Sequence, residues 1–297
     1  MLSVSDTRIA VIIATKGRPQ STTQLLRLLE RQTLIPSVVL VSATDRKDVE
    51  DQPITSLHVE YIFGSAGSSI QRNRALNKIR ANCDVVIFFD DDFAPSPYWI
   101  DHCRNIFHSE PGVVGISGSL IRDGAQTGGI SWDEATSLID REIPVPVDVP
   151  VLSECADLYG CNMAFRMSAI ADVNFDERLV LYGWMEDKDF ARTVKKRGRI
   201  VECNSMVGVH LGLKTGRVSG KRLGYSQIVN PWYLYKKGTL SSKEVWTCIL
   251  RALVANGLKT FWAKDTIDRR GRLTGNLIGV GHLLSGSCRP ERAAKLN

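Results

Sequence analysis

The stretch Asp84-Val85-Val86-Ile87-Phe88-Phe89-Asp90-Asp91-Asp92 decides the fold. Its five apolar residues are too few for a helix and leave no polar face, which is the pattern of a strand covered on both sides. The run ends abruptly in three carboxylates, and in open α/β sheets ligands bind outside the carboxyl ends of the strands. The acidic triplet therefore marks a site. Working outward, helical spacing over Ser69 to Ala81 precedes this strand, and Val59 to Phe63 and Val38 to Ser42 read as strands. Thr22 to Gln32 reads as a helix and Ile9 to Thr15 as the first strand. Strands alternating with helical patterns predict βαβ units and a mixed, mostly parallel, Rossmann-like sheet flanked by helices. Downstream, Val113 to Ser117 is a further strand, and Arg122 to Pro150, with Gly124, Gly128, Gly129 and the extended PVPVDVP, reads as a long connection. Asn162 to Ala171 reads as a helix, Asp187 to Lys196 as a helix closed by Gly198, and Met206 to His210 as a strand.

The chain has 297 residues, 43% hydrophobic and 24% charged, which excludes disordered and fibrous classes. Its apolar runs are far short of the roughly 20 residues that a membrane-spanning helix needs. The N-terminal MLSVSDTRIAVIIATKGRP has no basic leader and no small-residue cleavage site, so a cytoplasmic protein is expected. Seven scattered cysteines without a C-x-x-C pair read as reduced thiols. Charge is divided unevenly. Residues 214–297 carry 16 Lys and Arg against 4 Asp and Glu, a balance of +12, whereas residues 1–213 balance to −6. In this basic tail Val245, Trp246, Ile249, Leu250, Leu253, Val254, Leu258, Phe261 and Trp262 recur with helical spacing, with Lys243, Arg251, Lys259 and Lys264 mostly off the stripe and Arg269, Arg270 and Arg272 beyond it. One amphipathic helix is predicted. It suits either an anionic membrane surface, with the protein peripheral on its inner face, or packing on the body of the protein. No nucleic-acid recognition motif accompanies the positive charge.

Three carboxylates at a buried strand end repel one another unless a cation compensates them, which points to Mg²⁺ or Mn²⁺ shared with a nucleotide diphosphate; a solvated acidic loop is the plainer alternative. A second cluster, Tyr182-Gly183-Trp184-Met185-Glu186-Asp187-Lys188-Asp189, puts carboxylates at a helix start beside an aromatic residue. Such a carboxylate can be a general base and the aromatic can stack on a sugar; ordinary helix capping is the alternative.

Six motifs in order carry a resemblance: Val11-Ile12-Ile13-Ala14-Thr15-Lys16-Gly17-Arg18-Pro19, Gln71-Arg72-Asn73-Arg74-Ala75-Leu76, Asp90-Asp91-Asp92, Gly160-Cys161-Asn162-Met163-Ala164-Phe165-Arg166, Phe175-Asp176-Glu177-Arg178-Leu179 and Trp184-Met185-Glu186-Asp187-Lys188-Asp189. Over about residues 8 to 240 the chain resembles the family 2 glycosyltransferases, nucleotide-sugar-dependent enzymes of the GT-A fold. The resemblance implies a catalytic domain over 1–240 and a basic amphipathic helical region over 241–297. It implies nucleotide contacts from Thr15 and Arg18, and from Arg72 and Asn73 unless these two are structural. Asp90 falls near the nucleotide ribose with Asp91 beside it, and Asp92 falls on the metal. Gly160, Asn162 and Trp184 match the sugar and acceptor pocket, Asp187 matches the catalytic base, and Glu186 stands next to it. His210 sits where some members supply a metal ligand, although a strand-end histidine can equally be structural.

The chain departs from the family where many members carry Pro-Thr-aromatic-Asn after the first strand and a paired Asp after the second. Here those places read Ala14-Thr15-Lys16-Gly17 and Ser42-Ala43-Thr44-Asp45, leaving Asp45 as the stand-in for the carboxylate that binds the base. The implied activity is inverting transfer of a sugar from a nucleotide-diphosphate donor to a hydroxyl of a glycan or lipid-linked acceptor, in surface or exopolysaccharide assembly. A nucleotidyltransferase of similar fold would use the same metal carboxylates but has less need of Asp187. A noncatalytic sugar-nucleotide or membrane-binding protein is the third reading.

Overall fold

A computed structural model describes residues 7–50, 56–142, 150–215, 219–262 and 267–297. Most of the PVPVDVP segment and Lys264 lie outside the described residues. The chain divides into two compact units. The first comprises Met1–Ala66, Ile70–Phe175 and Phe190–Gly216, and the second Gly67–Ser69, Asp176–Asp189 and Arg217–Asn297.

The first unit is the sheet. Its parallel half is β1 (Ile9–Ala14), β2 (Val38–Ala43), β3 (Val59–Phe63) and β4 (Val85–Asp90), in spatial order β3-β2-β1-β4. The order reverses between β1 and β4, and their register pairs Ala14 with Asp90, so the acidic triplet leaves the sheet at the switch point where α/β proteins bind ligands. Alternate residues of the central strands enter two cores. Val11, Ile13, Val85, Ile87 and Phe89 pack with Leu25, Leu26 and Leu29 of α1 (Pro19–Leu29) and with Trp99, Cys103 and Ile106 of α3 (Trp99–Ser109). Ala10, Ile12, Val86 and Phe88 pack with Ala75, Leu76 and Ile79 of α2 (Ser68–Ile79) and with Phe190, Ala191 and Val194 of α6 (Glu186–Lys195). Helices on both faces are why these strands read as unbroken apolar runs. The expected fold class, a GT-A-type α/β sheet flanked by helices, is what the chain adopts. α1 begins three residues before the predicted start because Pro19 occupies its first turn, where a missing N–H costs nothing.

The rest of the sheet corrects three expectations. Residues Asn162–Arg166 form a strand, β8, followed by a single turn, α5 (Met167–Ile170), rather than a helix. The strand lies antiparallel between β4 and β6 (Val113–Asp123). Met163 and Phe165 enter one core and Ala164 the other, so the segment is apolar on both faces and its period of two is masked. The connection expected over Arg122 to Pro150 contains the end of β6 and α4 (Trp132–Glu142), whose Ala135, Leu138 and Ile139 are buried at helical spacing behind the conspicuous glycines. The last strand, β9 (Arg199–His210), is longer than predicted and pairs with β6, β7 (Leu152–Glu154) and the short β5 (Phe93–Pro95).

The second unit is helical. The single helix expected in the tail is α8 (Ser242–Trp262), and it has two partners that the periodicity did not show, α7 (Gly220–Lys237) and α9 (Arg269–Leu284). The division expected at 240/241 falls inside this unit, between α7 and α8. α7 and α9 pack through glycines: a Cβ at Gly224 would lie 2.0 Å from the Arg272 carbonyl oxygen, and one at Gly275 would lie 2.0 Å from that of Lys221. Glycine, which ordinarily weakens a helix, is here the contact surface. Among the described residues no helix is long and apolar enough to cross a membrane.

Candidate active site

In the first unit, β4 delivers Asp90, Asp91 and Asp92 into a shell of cations. Arg18, just beyond β1, sets Nη1 2.7 Å from Asp91 Oδ1 and 3.2 Å from Asp92 Oδ2, while its other nitrogens donate to the carbonyls of Leu213 and Thr215. Thr15 Oγ1 donates to Asp91 Oδ2 at 2.7 Å. Both oxygens of Asp91 are thus engaged by protein, and Thr15 and Arg18 brace the acidic turn. Arg72, almost fully buried, donates to Asp90 Oδ1 at 2.7 Å and to the Gly160 carbonyl at 3.0 Å, with its guanidinium over the Phe175 ring. Asn73 exchanges hydrogen bonds with the backbone of Phe175, donating at 2.9 Å and accepting at 2.8 Å, which is a structural tie.

The triplet meets the end of β9. Asp92 Oδ1 lies 3.5 Å from His210 Nε2, and Asp92 Oδ2 accepts from the Leu213 backbone N–H. Donor atoms of Asp90, Asp92 and His210 all lie within 4.8 Å of one another, a set that could hold a metal ion. The donor chemistry fits: two carboxylates and an imidazole suit a small divalent cation such as Mn²⁺ or Mg²⁺. The structure adds two residues that the sequence reading missed. His210 Nδ1 lies 2.8 Å from Asp123 Oδ1, and the Tyr159 hydroxyl lies 3.3 Å from the same nitrogen and donates to Asp123 Oδ2 at 3.2 Å. A carboxylate on Nδ1 fixes the ring so that Nε2 faces the site, the usual support for a metal-binding histidine. No motif signals Asp123, because β6 brings it opposite His210 in register across the sheet. Burial opposes the charged imidazole, yet its bonds to Asp123 and Asp92 raise its pKa to about 10. Burial raises the carboxyl of Asp91, with Arg18 pulling it back; burial is outweighed at Asp92, where His210 and Arg18 hold the carboxyl below its usual range.

Of the remaining residues in this unit, Asn162 is fully buried and accepts from the Gly118 N–H through Oδ1 at 2.9 Å. Its Nδ2 meets no acceptor among the described residues. Asp45 caps the short turn Arg46–Asp48 and is 55% exposed. The buried carboxylate of this loop is Asp48, which accepts from the backbone N–H groups of Gly17 at 2.8 Å, Thr44 at 3.1 Å and Asp45 at 3.0 Å. Asp48 fastens the loop after β1 to the loop after β2.

In the second unit, the start of α6 follows a strained turn. Leu181, Gly183 and Met185 have φ of 63°, 70° and 71°, and a Cβ on Gly183 would lie 2.5 Å from Glu186 Cγ. Left-handed backbone at two non-glycine residues is stored strain of the kind that collects at functional turns. Glu186 is buried and accepts from Ser68 Oγ at 3.0 Å. Asp189 is buried and clamped by Lys237 Nζ and Thr239 Oγ1, both at 2.6 Å. Asp187 is half-buried in the first turn, and its Oδ1 accepts from the Lys188 N–H at 2.8 Å. Trp184 is half-buried, its carbonyl accepting from Asn230 Nδ2.

Residues 10–173 match the model of glycosyl transferase family 2, more than half of the chain. The chain belongs to glycosyl transferase family 2. A similar fold is seen in crystal structures of Staphylococcus aureus TarS. The form comprising residues 1–349 aligns with a TM-score of 0.51 at 16% identity, covering 98% of this chain and 83% of that one. The same form in complex with UDP-GlcNAc aligns equally well, covering 84% of that chain. A longer TarS structure aligns with a TM-score of 0.49 at 16% identity, and this family 2 chain spans only about half of it, 53%. No curated protein gives a significant match.

Proposed function

We propose that the protein moves a sugar from a nucleoside-diphosphate donor to a hydroxyl of a glycan or lipid-linked acceptor, with inversion at the anomeric carbon. The observation that carries this reading is the convergence of Asp90, Asp92 and His210 at the carboxyl end of β4. A divalent cation there, Mg²⁺ or Mn²⁺, supplies neutralisation of the charge that develops on the diphosphate as it leaves. Thr15 and Arg18 keep Asp91 and Asp92 in place, Arg72 positions Asp90, and Asp123 aims His210. Asp45 is assigned to the nucleotide base, on a loop that the buried Asp48 holds in place. Gly160, Asn162 and Trp184 are assigned to the sugar and acceptor subsites on the family's motif order, with the buried Asn162 amide held by the Gly118 N–H. Asp187 is the base: its carboxylate takes the proton of the acceptor hydroxyl as that oxygen bonds to the anomeric carbon and the bond to the diphosphate breaks. Glu186, held by Ser68, supports the turn that presents Asp187. The UDP-GlcNAc complex of TarS makes UDP-sugars the first donors to test. We place the reaction in surface or exopolysaccharide assembly, with the enzyme peripheral at the inner face of the membrane.

Release of nucleoside diphosphate from a panel of nucleotide-sugars, with Mg²⁺, Mn²⁺ or chelator, tests the reading. Metal-dependent release lost in Asp92→Ala is expected. Asp187→Asn should lose about 10²- to 10⁴-fold in transfer with donor affinity unchanged. Transfer at the wild-type rate in Asp187→Asn would remove the base assignment, and donor binding indifferent to metal and to Asp92→Ala would remove the metal centre.

A further inference from the structure

α8 presents two different faces. Inward, Val245 and Ile249 are buried among Leu179, Ile228, Leu234 and Leu240, and Asn256 donates to Gln227 and Asn276. Outward, Trp246, Leu250, Val254 and Leu258 are 45%, 57%, 56% and 56% exposed. Their spacing of four residues advances each side chain about 40° around the helix, so they form one continuous ridge. Single exposed apolar residues are ordinary, but a contiguous row of four marks a surface that something covers. Lys243, Arg251 and Lys259 are exposed on the same helix. Lys243 falls within the arc of the ridge and Arg251 at its edge. The only carboxylate of α8, Glu244, is tied back to Ser241, accepting from its N–H at 2.9 Å and its hydroxyl at 2.7 Å. At the N-terminal end of the helix lies a cavity of 410 Å³ whose charged lining is Lys188, Lys243 and Arg251 against the single carboxylate Glu244, together with Met185 and Leu240.

We propose that this face of α8 is a docking surface for an anionic phospholipid bilayer, with the ridge lying among the acyl chains at the interface and the cavity cations holding headgroup phosphates. It gives the peripheral location proposed above its contact surface, and rests on that reading. Charge selects the occupant. A second copy would bring the same basic helix, of a region balanced at +12, against itself, and lysine is depleted from the centres of protein interfaces. A nucleic acid would satisfy the cations and leave the ridge in water. An anionic bilayer meets both requirements, because an in-plane helix buries its apolar face by about 5–10 Å while its basic residues stay at the headgroups. The neighbouring residue to Lys188 is Asp187, so the surface places the proposed base close to where a lipid-linked acceptor is found.

Co-sedimentation of the full chain with vesicles of phosphatidylglycerol and of phosphatidylcholine tests this, with UDP binding measured by calorimetry on every variant. Expected are binding to phosphatidylglycerol only, about tenfold weaker in Leu250→Ser/Leu258→Ser and roughly a hundredfold weaker in Lys243→Glu/Arg251→Glu, with UDP affinity unchanged. Inorganic phosphate at millimolar concentration should not displace the protein from vesicles; displacement would make the cavity a site for free phosphate and overturn the lipid assignment. Equal binding to both lipids, or none while UDP still binds, would also overturn it and leave the glycosyltransferase reading standing. A dimer abolished by Leu250→Ser/Leu258→Ser without vesicle binding would assign the ridge to a second copy instead. Vesicle binding without UDP binding in the wild type would support the surface and count against the donor site.

Discussion

Replacing His210 by Gln should change how metal affinity depends on pH more than any other single substitution. The ring lies between two carboxylates, 2.8 Å from Asp123 and 3.5 Å from Asp92, and carries a proton up to about pH 10 in the metal-free protein. Because this pKa lies above the ordinary 6.5, the stability that the ion pairs contribute is complete below about pH 6.5 and is lost as pH rises through about 10. A metal ion at Nε2 must displace that proton. At pH 7.5 the competition weakens apparent affinity roughly 300-fold relative to the neutral ring, since the pKa of about 10 stands 2.5 units higher. Apparent affinity should therefore climb roughly tenfold per pH unit, about a hundredfold between pH 6.5 and 8.5. Titration of free Mn²⁺ by its electron paramagnetic resonance signal, at constant ionic strength and without nucleotide, reads this slope independently of turnover. In His210→Gln any remaining slope reports the carboxylates alone, Asp90 among them with its carboxyl raised by burial, and should be shallower than in the wild type, with lower affinity at the upper end of the range. A flat wild-type profile, or the same steep slope in His210→Gln, would refute the argument that His210 is a protonated ligand in waiting.

The other residues of the site make separable predictions. Asp123→Asn keeps the size of the side chain but not its charge, and should weaken Mn²⁺ binding by about 10- to 100-fold while the melting profile stays cooperative; unchanged affinity would reduce Asp123 to a spectator. Arg18→Gln removes the cation shared by Asp91 and Asp92, both nearly buried, and should cost about 3–5 kcal/mol in denaturant unfolding, part of it recovered by divalent cation. If metal stabilises this variant no more than the wild type, the cation is not replacing the guanidinium. Gly224→Ala forces a methyl to 2.0 Å from the Arg272 carbonyl and should destabilise the packing of α7 on α9 by about 2–3 kcal/mol, visible as faster amide exchange in both helices. Protection equal to wild type would mean that the helices part without cost.

Local signals were sufficient wherever residues near in sequence made the structure. The run Val85–Phe89 reads as a doubly covered strand because both of its faces are apolar, and the abrupt switch to Asp90 is a change of environment that one segment can record. The helix at Asp187 shows its acidic first turn and basic last turn within ten residues, and the observed element, Glu186–Lys195, differs by one position. Local signals misled where two demands share one segment. Asn162–Arg166 is apolar for two cores at once and lost its alternation, and α7 and α9 gave no helical stripe because glycines, which admit another helix's backbone, form their contact.

Local patterning determined by itself an α/β chain with carboxylates at a strand end and a basic helical tail, and motif order carried the resemblance to the family 2 glycosyltransferases. Only the tertiary structure decided what each polar residue does there. Asn73 ties α2 to the Phe175 backbone, Asp91 is consumed by Thr15 and Arg18, and Asp48 rather than Asp45 is the buried acid of its loop. Asp123 becomes the partner of His210 through strand register across 87 positions of sequence. The reason is physical: apolar burial follows periodicities that repeat every two to four residues, whereas a hydrogen bond or ion pair depends on two atoms meeting within about 3 Å, and that distance is set by how remote strands are laid side by side.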